Sequence, residues 1–184
     1  SVYDILNREA EQIPIGAEGL VALDYFQGNR TPYVDSDVRG MLYGLSLIHT
    51  PAHIYRALVE SVCYGTKEIL DVFRQSGFVP SGIVISGGIV KSRFWLQAHA
   101  DVCDIPLIVP RVTEAPCLGA AILGAVASGA YPDIVSAAAR MTHTDHVVEP
   151  DHGRHEEYMF YYRKYQEIYA LAKDWMHSVT NHIG

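Results

Sequence analysis

The chain has 184 residues, of which 49% are hydrophobic, 19% charged and 10% aromatic, and its net charge at pH 7 is −7. That length allows one domain with a full core, and the composition excludes a disordered or fibrous chain. No more than two Lys or Arg stand side by side, which argues against nucleic-acid binding, and no stretch approaches the roughly 20 apolar residues of a membrane span.

Cys63, Cys103 and Cys117 are far apart and set among apolar residues. They are expected to be buried, reduced thiols, which together with the lack of a leader-like N-terminus points to the cytoplasm. The chain opens at Ser1 directly into a helical pattern (Val2, Ile5, Leu6, Ala10) and without Met, as in a piece of a longer protein.

After Pro14 and Gly16, the stretch Gly19 to Phe26 reads as a strand, and a polar loop follows from Gln27 to Arg39. That loop concentrates Arg30, Asp35, Asp37 and Arg39 around Pro32 and Tyr33, and ordinary surface ion pairs account for it without invoking a site. Gly40 to Leu47 is a second strand. Thr50 then caps a long helix with Pro51 in its first turn, and apolar residues from Ile54 to Val72 recur at helical spacing until Ser76-Gly77.

Next comes Ile83-Val84-Ile85-Ser86-Gly87-Gly88-Ile89-Val90-Lys91-Ser92, the stretch around which the rest is organised. Three β-branched residues predict a strand buried on both faces, two glycines predict a tight turn, and Ser92 predicts the cap of a helix that runs to about Val102. A strand, glycine turn and helix N-terminus together leave free backbone N–H groups beside a surface without side chains, which suits a nucleotide. A sharp turn that simply needs glycine is the competing reading. The stretch has the spacing of neither a P-loop nor G-x-G-x-x-G.

Leu107-Ile108-Val109 predicts a third short strand, and Glu114-Ala115-Pro116 opens a helix punctuated by Gly119, Gly124 and Gly129. Small residues on successive turns predict a helix lying close to a sheet or a ligand. A short helix from Ile134 to Arg140 and an edge strand from His146 to Val148 come next. The segment from His155 is a long helix whose stripe of Tyr158, Tyr161, Tyr162, Tyr165, Ile168 and Tyr169 predicts packing. Strands alternating with helices predict an α/β domain with a mixed sheet.

His143, His146, His152 and His155 surround Pro150 and Gly153 in what reads as a polar loop, and their spacing matches no metal-binding helix. No G-x-S-x-G elbow supports a hydrolase. The acid pairs Asp35/Asp37 and Glu156/Glu157 read as solvated faces.

Three stretches together carry a resemblance. Gly28-Asn29-Arg30-Thr31-Pro32-Tyr33-Val34-Asp35 with Arg39 to Leu45, then Gly44-Leu45 followed by His53-Ile54 and Ala57-Leu58-Val59-Glu60, then Ser86-Gly87-Gly88 with Ser92 and Glu114 to Ala121, resemble in order and spacing the C-terminal domain of the FGGY carbohydrate kinases. Leu58 and Ile89, the latter where a third glycine is more common, depart from the pattern. The resemblance implies an actin-like ATPase, or ribonuclease H-like, domain with a mixed sheet flanked by helices. Residues 1–184 would form a single nucleotide-binding domain, with the sugar-binding and catalytic N-terminal domain absent from this chain.

Carried over by position, Gly87 and Gly88 would lie under the adenosine and inner phosphates of ATP, Ser92 near the adenine, and Gly119 in the neighbouring wall. The implied partners are ATP or ADP, Mg2+ held mostly by residues outside this chain, and a sugar, with the Leu23 to Pro32 stretch closer to pentulose kinases of the ribulose and xylulose type than to glycerol kinase. The full-length protein would transfer the γ-phosphate to a sugar hydroxyl and this piece alone would be inactive. The alternative is a non-catalytic actin-like regulatory or assembly module. A homodimer is compatible with either.

Overall fold

The computed structural model describes residues 1–183. Its elements in chain order are α1 (Val2–Glu11), β1 (Val21–Leu23), β2 (Met41–Tyr43), α2 (Pro51–Gln75), β3 (Ile83–Val84), α3 (Arg93–Cys103), β4 (Leu107–Pro110), α4 (Ala115–Ala127), α5 (Ile134–Met141), β5 (Thr144–Val148) and α6 (His152–Ile183). The strands form two sheets. β1 and β2 make an antiparallel ribbon, and β3, β4 and β5 make a mixed sheet in that order, β3 parallel and β5 antiparallel to β4.

Both predicted N-terminal strands are real but shorter than their apolar runs, because a 3-10 turn at Ala17–Gly19 and the polar loop after Leu23 consume the ends. β3 is not buried on both faces. It pairs with β4 alone and the Val84 side chain is 68% exposed. The histidine segment is no loop throughout, since α6 already begins at His152. Its histidines go to separate partners, His152 to Asp104 and His155 to the Asp101 carbonyl.

The main core is built where α2, α3 and α6 meet β1. Val21 and Leu23 of β1 face Val59, Cys63 and Tyr64 of α2, Phe94, Ala98 and Val102 of α3, and Tyr158, Tyr162 and Tyr165 of α6. The tyrosine stripe is thus packing, as its spacing predicts. A second cluster seats Leu96 and Ala100 of α3 on Leu107 and Val109 of β4. Among the described residues no helix is long and apolar enough to cross a membrane.

One buried polar network fixes α1 against this core. Arg56 and Glu60, one turn apart on α2 and each 2% exposed, pair at 2.7 Å. Arg56 also donates to the carbonyls of Ala10 (2.8 Å) and Ile13 (2.6 Å) at the end of α1, and to the Tyr158 hydroxyl (3.3 Å). Glu60 accepts the Gly16 N–H on both oxygens, at 3.2 and 3.1 Å. Gly16 has φ of 78°, and a Cβ there would fall 2.0 Å from the Tyr161 ring, so both backbone angle and space demand glycine. Burial pushes the Glu60 carboxyl up, opposed by the Arg56 charge and the Gly16 N–H.

Candidate functional site

The glycine turn begins where β3 runs out. The Ile85 N–H donates to the Ile108 carbonyl at 3.1 Å, and Gly87 follows with φ 84° and ψ −156°, a backbone region reserved in practice for glycine. The Gly87 N–H donates to the Thr113 carbonyl at 3.0 Å, which ties the turn to the segment entering α4. Gly88 opens a 3-10 turn that runs to Lys91, an element that its apolar Ile89-Val90 pair does not announce. Ser92 then caps α3, its Oγ accepting the Trp95 N–H at 3.1 Å.

Facing this turn stands α1. The Ser92 hydroxyl donates to Asn7 Oδ1 at 2.7 Å, and the Tyr55 hydroxyl of α2 donates to the same oxygen at 2.9 Å. Between the turn and the helix lies a cavity of about 440 Å³ whose lining includes Asn7, Tyr55, Gly88, Ile89, Ser92 and Trp95. That size falls in the ordinary range for small-molecule pockets, about 300 to 1,000 Å³. Lys91 and Asp4 contribute charged groups to the same lining, and aromatic faces from Tyr55 and Trp95 suit a flat ring. A Cβ added at Gly88 would meet nothing within 4 Å, so the turn leaves open room there.

The structure therefore brings Gly88 and Ser92 to one cavity, with Gly87 holding the turn beside it. Ser92 is 6% exposed and its hydroxyl is already committed to the helix cap and to Asn7. Ile89 sends its side chain both to the cavity and to the cluster around Leu96, in place of a third glycine. Gly119 is not among the lining residues. It lies exposed on α4, and no sheet packs closely on that helix: nothing in the chain comes within 4 Å of a Cβ at Gly119, Gly124 or Gly129, and only Ile122 is buried. Sequence reasoning missed Asn7, Tyr55 and Trp95. A polar residue between Leu6 and Ala10 on α1 was the one local trace, and its partner is 85 positions away.

Other candidate groups are elsewhere. Cys63 and Cys103 are buried as expected, and burial pushes the Cys103 thiol up to about 12, so neither is a nucleophile. Cys117, expected to be buried, is exposed, because α4 carries its apolar residues on a largely uncovered surface. Among the described residues no three His, Cys, Asp or Glu side chains converge to hold a metal ion. A larger groove of about 580 Å³ between the β1–β2 ribbon and α6 is apolar, and its two charged residues, Lys164 and Glu167, satisfy each other at 2.6 Å.

Comparison with known proteins bears on this arrangement. Residues 3–128 match the model of the FGGY family of carbohydrate kinases, C-terminal domain. The chain belongs to this family. A ribulokinase of Bacillus licheniformis is 40% identical over 176 residues, covering 92% of this chain and 32% of the relative. A xylulose kinase of Staphylococcus epidermidis is 37% identical over 173 residues, covering 94% of this chain and 35% of the relative. The crystal structure of xylulose kinase from Rhodospirillum rubrum superposes with a TM-score of 0.80 at 31% identity, over 95% of this chain and 35% of that one. The fold is thus that of the FGGY sugar kinases, the actin-like ATPase type. The chain spans about a third of the length of the curated relatives it matches.

Proposed function

We propose that this chain is the nucleotide-binding C-terminal domain, residues 1–184, of an ATP-dependent carbohydrate kinase. Its full-length protein transfers the γ-phosphate of ATP to a hydroxyl of a sugar, and kinship with ribulokinase and xylulose kinase makes a pentulose the favoured substrate. The observation that carries the reading is the cavity where Gly88 and Ser92 of the glycine turn meet Asn7 of α1.

In this reading adenosine enters between the turn and α1, and its inner phosphates lie along Gly87 and Gly88, where the absence of side chains lets an anion approach the backbone. The Gly87 N–H is held by the Thr113 carbonyl, which leaves the Gly88 N–H to meet the anion. Gly119, which lies exposed on α4 and away from this cavity, keeps its proposed place in the outer wall on the family resemblance alone. The catalytic base, the groups that hold Mg2+ and the sugar pocket belong to the sugar-binding domain outside this chain. Phosphoryl transfer depends on positioning, which supplies on the order of 7 to 11 kcal/mol of barrier reduction, so half a cleft is inactive alone.

The test is ATP-dependent ADP release by the full-length protein against a panel containing ribulose, xylulose, glycerol and gluconate. Turnover is expected with a pentulose and is expected to fall when Gly88 is replaced by valine. Absence of sugar-dependent turnover across the panel would contradict the reading.

A further inference from the structure

We infer that the side-chain amide of Asn7 is the group that reads the base, and that it does so only as a donor. The inference rests on the nucleotide reading of the cavity and adds which residue recognises which kind of atom. Ser92 stands closest to the expected adenine by sequence position, yet its Oγ receives the Trp95 N–H and its proton goes to Asn7. Ser92 therefore has no free donor for a ligand. Tyr55 is occupied in the same way, its proton also going to Asn7 Oδ1.

Both hydroxyls need an acceptor, and the amide oxygen of Asn7, with two lone pairs, supplies it to both. This fixes the orientation of the amide. Its carbonyl faces the protein and its NH2 group, which has no hydrogen-bond partner among the described residues and is not a buried atom, is left to the cavity that Asn7 lines. An asparagine free at both ends reads adenine in two-pronged fashion, accepting from the exocyclic amine and donating to a ring nitrogen. Here the accepting end is consumed. What remains recognises an acceptor alone, a ring nitrogen of a purine held against the aromatic and aliphatic walls of Tyr55, Trp95 and Ile89. Ser92 and Tyr55 are positioning residues that act through Asn7.

The test is a cycle of variants and ligands on this chain, followed by amide chemical shifts at Gly88 and position 7. The ligands are ADP and its 1-deaza, 3-deaza and 7-deaza analogues, each lacking one ring acceptor. Wild type is expected to bind one of the three analogues about tenfold more weakly than ADP, the usual consequence of leaving a donor unpaired. Asn7→Ala is expected to bind that analogue and ADP alike. Asn7→Asp keeps an oxygen for Ser92 and Tyr55, so it retains the fold, but turns a second oxygen towards the ring nitrogen and is expected to bind ADP more weakly than Asn7→Ala. If ADP shifts Gly88 in wild type but all three analogues bind as ADP does, the inference is overturned and the nucleotide reading stands. If ADP shifts neither Gly88 nor Asn7, the nucleotide reading falls and this inference with it.

Discussion

The hydroxyl of Ser92 and the amide oxygen of Asn7 are joined at 2.7 Å across 85 positions of sequence, and this bond closes the glycine turn onto α1. The helix cap on one side and the wall of the cavity on the other depend on the same oxygen atom of Ser92. Replacing Ser92 by alanine removes a cap worth about 1 kcal/mol and a buried side-chain hydrogen bond worth about another. The expected outcome is a loss of roughly 2 kcal/mol in denaturant unfolding together with weaker ADP binding.

Gly87 and Gly88 are adjacent but are expected to answer substitution differently. Gly87→Ala forces a side chain into φ 84°, ψ −156° and should cost about 1 to 3 kcal/mol. Gly88→Ala meets open space in an ordinary conformation and should leave stability nearly unchanged, while placing a methyl group in the cavity lining. Thermal unfolding of the two variants beside their ADP titrations checks both statements. An equal loss of stability in both would show that the turn is less specific than its backbone angles indicate.

How much of this was legible in the sequence differs from element to element. The Ser92 cap, the Thr50-Pro51 start of α2 and the tyrosine stripe of α6 are local patterns, and the structure follows them. The apolar runs Gly19 to Phe26 and Gly40 to Leu47 predict longer strands than β1 and β2, because apolar residues continue past the point where hydrogen bonding stops. The small-residue pattern of α4 predicts the helix that is found, but of the two neighbours it allows, a sheet or a ligand, the sheet is not there, since what packs opposite a helix is not written in its own residues. Asn7 was invisible because its role is set by Tyr55 and Ser92, both distant in sequence.

The buried Arg56–Glu60 pair should be asymmetric to mutation. Arg56→Met strands Glu60 without its cation and frees α1 from the core, with an expected loss of about 3 to 5 kcal/mol. The double variant Arg56→Met, Glu60→Leu removes both charges and should recover part of that loss. Urea unfolding of the single and double variants measures it, and a double variant less stable than the single one would count against this account of the network.

His99 gives the fold an acid sensitivity. Burial beside Cys63, whose Sγ is 3.5 Å from its Nδ1, depresses the imidazole to about 4. The unfolded chain takes up this proton near pH 6.5 and the folded chain does not, so stability is fully present above pH 6.5 and declines as pH falls towards 4. The total amounts to about 3 kcal/mol. His99→Leu should remove one proton's worth of slope from stability over that window and leave the slope above pH 7 unchanged.

The central claim is most directly tested by titrating this chain with ATP, ADP and AMP while following the assigned amides of Gly87, Gly88 and Ser92. The account predicts saturable shifts confined to these residues and to Asn7, similar in pattern for all three nucleotides because they share the adenosine. Shifts that spare the turn and gather on the apolar groove beside α6, or in the His143 to His155 segment, would contradict it.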